Sequence, residues 1–415
     1  DIFSEKKNIS SDIEIDASNH IVLPGLVNTH HHLFQTLTKA IIKAQNASLF
    51  DWLKILYPIW SRITSVELKS AVKIGLSELM TSGCTTTSDH LYIFPNGIKL
   101  EDEIEVAQTL GIRFHSTRGS MSIGESNGGL PPDYLVEDES FIIKDSQDII
   151  NKWHDPSHGS MIRIALAPCS PFSVSKELMR DTAILAREYN VGLHTHLAEN
   201  SDDVEYSKRM FGLTPGQYIE ELGWIGKDVW HAHCVKLNNE EIDLFSRTGT
   251  SVSHCPCSNM RLGSGILPLN KMLDKGVNVG LGVDGSASND SGNLLNEARQ
   301  ALYLQRVNET NNFYLNARNV LWLATAGGAI ALNRDDIGSI KVGNCADFAI
   351  YDSTSLELAG SVEDPIGGLI FCGPLKTRWT ICNGQIISEN NNIKNINIED
   401  TINQHNSLSR KLINS

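Results

Sequence analysis

Eight short β-rich runs, each halting at polar or glycine residues, recur along this chain: 21–29, 84–90, 111–118, 162–169, 190–196, 228–235, 250–256 and 277–284. Segments with helical patterning separate them, among them Val66 to Leu76, Lys176 to Tyr189 and Glu240 to Phe245. Strand and helix alternating eight times predicts an α/β fold closed into a (β/α)8 TIM barrel, whose chemistry sits at the carboxyl ends of its strands. A doubly wound open sheet is the competing arrangement. It fits less well, because no glycine-rich nucleotide fingerprint follows the first strand and polar residues close nearly every strand.

The 415 residues exceed the roughly 250 that one barrel needs. Residues 24–333 are expected to form the barrel, 334–390 a small β domain, and 391–415 a loop and closing helix. Residues 1–23 are expected to add strands to that domain, a β-sandwich built from both chain termini. The chain opens at Asp1 without methionine, and its polar start reads as an incomplete N-terminus. Within 377–387, Asn383-Gly384 marks a hairpin turn.

Thirty-five Lys and Arg stand against 49 Asp and Glu, and the net charge of −14 disfavours polymeric nucleic acid and anionic membrane surfaces as partners. No apolar stretch approaches the ~18 residues of a membrane span. Eight cysteines without a C-x-x-C pair point to reduced thiols and a cytoplasmic location. Cys255-Pro256-Cys257 alone does not make a structural zinc site.

The first run ends in Asn28-Thr29-His30-His31-His32. On a strand, residues i and i+2 share a face, so His30 and His32 can grip one ion while His31 points away. The fifth run carries His194-Thr195-His196 with Glu199 three residues on, the sixth ends His231-Ala232-His233, and the eighth delivers Asp284 among glycines. A single histidine at a strand end is more often a core hydrogen-bonding residue, and an aspartate beside glycines is more often part of a turn. Their coincidence on several barrel strands favours a metal centre instead. Two histidines from strand one, one from strand five and Asp284 form a mixed N/O set with a position open to water, as in catalytic zinc sites.

Asn28 to His32, His196-Leu197-Ala198-Glu199, Ala232-His233-Cys234, His254-Cys255-Pro256-Cys257-Ser258-Asn259 and Gly282 to Ser286 together resemble the amidohydrolase superfamily over nearly the whole chain. The similarity is strongest to its mononuclear aminohydrolase branch, which holds nucleobase deaminases and triazine chlorohydrolases. It implies His30, His32, His196 and Asp284 as metal ligands, Glu199 as proton shuttle, and His233 as a partner of the metal's water or the substrate. His31, His194 and His231 match no such role. Strand four, Ile162 to Cys169, lacks the lysine that bridges two metals in the binuclear branch. One zinc ion per chain is therefore expected, with iron also compatible with such a donor set.

A zinc ion lowers the pKa of its bound water from about 15.7 toward 7, giving a nucleophile at neutral pH. Glu199 is expected to carry protons to the ring nitrogen and the leaving amine, and Asp284 to take the hydroxyl proton. Gln35 resembles an amide contact of guanine deaminases, and its donor and acceptor suit a lactam edge. Trp52 matches a pocket-lining tryptophan able to stack on a ring. Cys169 replaces an Arg or His of related deaminases and reshapes the pocket. Arg113 to Ser122, Gly128 to Asp133 and Gly285 to Asp290 resemble the 8-oxoguanine deaminases, and Arg118 within the first of these is expected to contact substrate. The implied activity is deamination of the free base 8-oxoguanine to urate. Guanine or isocytosine deamination and s-triazine amino- or chlorohydrolysis are the alternatives. The expected partner is a small nucleobase, with a homo-oligomer left open.

Overall fold

The computed structural model describes residues 11, 13–309 and 315–414. Residues 1–10, part of the expected N-terminal strands, lie outside the described residues. Eight parallel strands close into a barrel: β2 (Leu26–Asn28), β3 (Cys84–Leu91), β4 (Arg113–Ser120), β5 (Ile162–Pro168), β6 (Gly192–Leu197), β7 (Val229–His233), β8 (Ser251–His254) and β9 (Val279–Leu281). Asn28 pairing with Leu281 completes the ring. Each of the eight β-rich runs thus supplies a barrel strand.

The first run is divided, a correction to its reading as one strand over 21–29. Its front half is β1 (His20–Pro24), which leaves the barrel and pairs antiparallel with β10 (Phe348–Asp352). The break falls at Gly25. There Asp347 accepts the backbone N–H, and any side chain would run into Thr85. Beyond β10 the sheet continues through β11 (Trp379–Cys382), β12 (Gln385–Glu389) and β13 (Asn392–Ile393), with the Asn383-Gly384 turn joining β11 and β12. This five-stranded sheet is the small β domain made from the two ends of the chain. The last pairing places short strands in 389–400, where the asparagine-rich composition predicts only loop.

Helices surround the barrel for local reasons. Ser65–Ser82 opens on a capping box, Thr64 with Glu67, and Lys176–Glu188 starts where Ser175 accepts from the N–H of Leu178. The closing helix spans Ile398–Asn414 and seats His405 against Ser70 and the Thr36 carbonyl. Leu, Ile, Val and aromatic side chains between barrel and helices form one continuous core. Among the described residues no helix is long and apolar enough to cross a membrane.

The small sheet is fastened to the amino ends of the barrel strands. Asp347 pairs with buried Arg113 of β4, accepts from the Thr85 hydroxyl (3.2 Å) and takes the Asn383 N–H (2.7 Å). The carboxyl ends of the strands are left free to shape a site.

Candidate active site

β2 ends at Asn28, and the extended chain beyond it carries His30 and His32 inward over the strand ends. His196 arrives from β6, His233 from β7, and Asp284 lies just past β9. The Nε2 atoms of His32 and His196 stand 3.0 Å apart, and Asp284 Oδ1 lies 3.3 Å from His30 Nε2 and 3.4 Å from His32 Nε2. His31 points elsewhere and joins no metal-capable cluster among the described residues.

Each ring's outer nitrogen determines what its inner nitrogen can do. His32 Nδ1 donates to the His90 carbonyl (2.8 Å) and His196 Nδ1 to the Cys169 carbonyl (2.6 Å). His194 Nδ1 donates to the Trp230 carbonyl (2.7 Å), so its Nε2 accepts from His30 Nδ1 (2.7 Å). His194 thus orients a candidate ligand. His231 instead donates to the Trp224 carbonyl, away from the cluster. Three Nε2 lone pairs therefore face one another and a carboxylate, and His30 Nε2 has no hydrogen-bond partner among the described residues.

Protonation does not relieve this crowding. Burial, reinforced by the neighbouring imidazoles, pushes His30 well below its ordinary pKa and His196 down to about 3. Burial lowers His32 as well. Burial pushes the Asp284 carboxyl up, yet the adjoining His30, His233 and His32 side chains outweigh it and hold Asp284 well below the usual range. Three neutral imidazoles and one carboxylate fit a single divalent cation.

On the cavity side, Glu199 Oε2 lies 3.6 Å from His233 Nε2, and Asp284 Oδ2 lies 3.8 Å from it. His233 Nδ1 donates to Asn259 Oδ1 (2.9 Å), which aims Nε2 inward. Burial raises the Glu199 carboxyl to about 7 against the pull of His233. For His233, burial acts downward, but the Glu199 and Asp284 carboxylates overcome it and raise its pKa. An acid poised near neutrality and an imidazole held toward its charged form thus face the same space. Three chain segments curl sharply here: Ala198, His233 and Asp284 all take left-handed backbone (φ 49°, 69° and 62°), unusual for residues other than glycine.

Glu199, His233 and Asp284 line one end of a cavity. Gln35, Trp52 and Cys169 also line it, as does a largely apolar wall that includes Leu49, Leu53, Tyr57, Tyr92, Phe172 and Leu262. Gln35 is buried. Its Oε1 accepts from the Ala287 N–H (3.4 Å), the Tyr92 hydroxyl bonds to it, and any side chain at Gly285 would occupy its amide's space. Trp52 donates to the Ala287 carbonyl (3.2 Å), and burial pushes the Cys169 thiol up to about 12.

Arg118 is absent from the cavity wall, a correction to its expected substrate contact. Its guanidinium pairs with Glu137 (2.9 Å) and Asp145 (2.6 Å) and lies over the Phe94 ring. Carboxylates 19 and 27 residues downstream claim it, which strand periodicity does not reveal. Four residues given no role from sequence stand in or beside the site: Asn259, Ser288, Tyr92 and His90. Ser288 donates to Asp284 Oδ2 (3.4 Å). Asn259 belongs to the His254-to-Asn259 motif at the end of β8, and His90 closes the second run, so the strand-end rule itself pointed to it.

A family model described as the amidohydrolase family matches residues 21–397, and the chain belongs to that family. The 8-oxoguanine deaminase of Pseudomonas aeruginosa is 47% identical over 361 residues, 86% of this chain and 80% of that protein. An isoxanthopterin deaminase from an unknown prokaryotic organism is 35% identical, covering 86% of this chain and 78% of its own. The crystal structure of atrazine chlorohydrolase from Arthrobacter aurescens complexed with zinc superposes with a TM-score of 0.90 at 33% identity, covering 94% of this chain and 88% of that one.

Proposed function

We propose that this protein hydrolyses the free base 8-oxoguanine to urate and ammonia. His30, His32, His196 and Asp284 would hold one divalent ion, and the zinc of the atrazine chlorohydrolase relative supports zinc. When bound, such an ion lowers the pKa of a coordinated water and acts as a Lewis acid. The chain's own residues carry the rest. Glu199 takes one proton from the attacking water and delivers it to the ring nitrogen; Asp284 takes the second proton from the new hydroxyl, and this proton passes by way of Glu199 to the departing amine, which leaves as ammonia. His233, aimed by Asn259, donates toward the oxygen that becomes the new carbonyl.

The observation that carries the choice of substrate is Gln35. Its amide is buried in the cavity wall that also contains Glu199 and His196, and it suits the lactam edge of an oxidised purine. Trp52, Tyr92 and Phe172 offer ring faces, and no Lys or Arg lines this cavity among its described residues. Glu199 and Asp284 are its only carboxylates, both at the metal end. The wall therefore suits a flat base better than a nucleoside with a sugar to grip. We place the reaction in the cytoplasm, in keeping with eight free cysteines.

The test is ammonia release by purified protein on 8-oxoguanine, guanine, isocytosine and cytosine, with chloride release from a chloro-triazine measured in parallel. Turnover should be greatest on 8-oxoguanine, at one metal per chain. Activity confined to the triazine would overturn the assignment.

A further inference from the structure

The fifth imidazole of the cluster, His90, has no part in the chemistry above, and its surroundings call for one. Its Nε2 donates to the Ala167 carbonyl at 2.8 Å, which leaves the lone pair on Nδ1. Nδ1 is buried and has no hydrogen-bond partner among the described residues. A buried acceptor stranded in this way is destabilising unless something satisfies it. The ring sits 4.9 Å from that of His196, 5.3 Å from His32 and 5.8 Å from His30, centroid to centroid. Ligand-capable atoms of these four histidines lie within 4.8 Å of one another. Asp284 and His233 line the substrate cavity, as do His32 and His196, whereas His90 and His30 do not, so the four-histidine set runs from the cavity wall back to the side away from the substrate.

We propose that His90 completes a second coordination position, made of the imidazoles of His30, His32, His90 and His196, beside the one that Asp284 shares. It rests on the reading of His30, His32 and His196 as metal ligands. An all-nitrogen set selects borderline divalent cations such as Zn²⁺, Co²⁺ or Cu²⁺ over Mg²⁺ and Ca²⁺, which require oxygen. Its use would be retention: Asp284 can loosen its hold during proton transfer while four imidazoles keep the ion. The rival occupant is a water molecule donating to His90 Nδ1.

The decisive protein is full-length Asp284→Ala, stripped of metal, reloaded with Co²⁺ and dialysed. The variant should be inactive yet retain close to one Co²⁺ per chain, with X-ray absorption fitting four imidazoles. Adding His90→Ala, or His90→Gln to keep a donor near the Ala167 carbonyl, should weaken Co²⁺ binding at least tenfold and remove one imidazole. Circular dichroism and melting establish that each variant is folded. Loss of Co²⁺ from Asp284→Ala, a fit of three imidazoles plus water, or equal affinity with and without His90 would overturn the proposal. Metal content and turnover of the unmodified protein test the catalytic assignment separately.

Discussion

Both ends of the barrel gather buried charged side chains, and they spend them in opposite ways. At the amino ends of the strands, charges are paired off: Arg113 with Asp347, and Arg334 with Asp336 through two contacts of 2.7 Å, while Arg334 also reaches the Ser160 carbonyl. At the carboxyl ends, lone pairs of His30 and His90 find no partners among the described residues, and Glu199 faces His233 across 3.6 Å. The closed end holds the small sheet to the barrel. The open end keeps unsatisfied polar atoms for an ion and a substrate to complete.

The largest effect should come from the open end. Glu199→Gln should lower turnover roughly 10²–10⁴-fold with metal content unchanged, measured by ammonia release and metal analysis. Loss of the metal as well would show that Glu199 holds the ion rather than moves protons. At the closed end, Asp347→Asn strands the buried Arg113 guanidinium and should cost about 3–5 kcal/mol in urea unfolding. The kcat of the protein that remains folded should not change, and a fall would break the division between the ends.

Glu297 lies between them in character. It accepts from the Cys257 N–H (3.0 Å) and the Asn289 amide (2.8 Å), and burial lifts its carboxyl from 4.5 to about 7. A raised folded-state pKa makes its contribution to stability full below pH 4.5 and progressively lost as pH rises through about 7. Glu297→Gln should flatten that part of the stability profile measured by denaturant titration. A smaller effect, about 1–2 kcal/mol in kcat/KM, is expected for Gln35→Ala on 8-oxoguanine. Gly285→Ala should act in the same direction by displacing the amide. Smallest is Arg118→Met, which should lower the melting temperature and leave KM unchanged.

Much of the open end was legible because it obeys short-range rules. His30 and His32 are two apart, and His196, His233 and Asp284 each close a β-rich run. The division at Gly25 was hidden, since Ile21 to Val27 is evenly apolar and only contacts with Thr85 and Asp347 send its halves to different sheets. His90 closes a run as a single histidine without a spaced partner, and only closure of the barrel brings it from β3 across to His196 of β6. Arg118 shows the converse failure, a strand-end charge whose partners come from a distant loop and helix.

The left-handed turns at Ala198, His233 and Asp284 bear on redesign. Backbone there already sits in a conformation that most side chains tolerate poorly, and β-branched replacements would be penalised before any gain in recognition appeared. Libraries seeking new ring substrates should diversify Leu49, Leu53, Phe172 and Leu262 and leave these three turns alone.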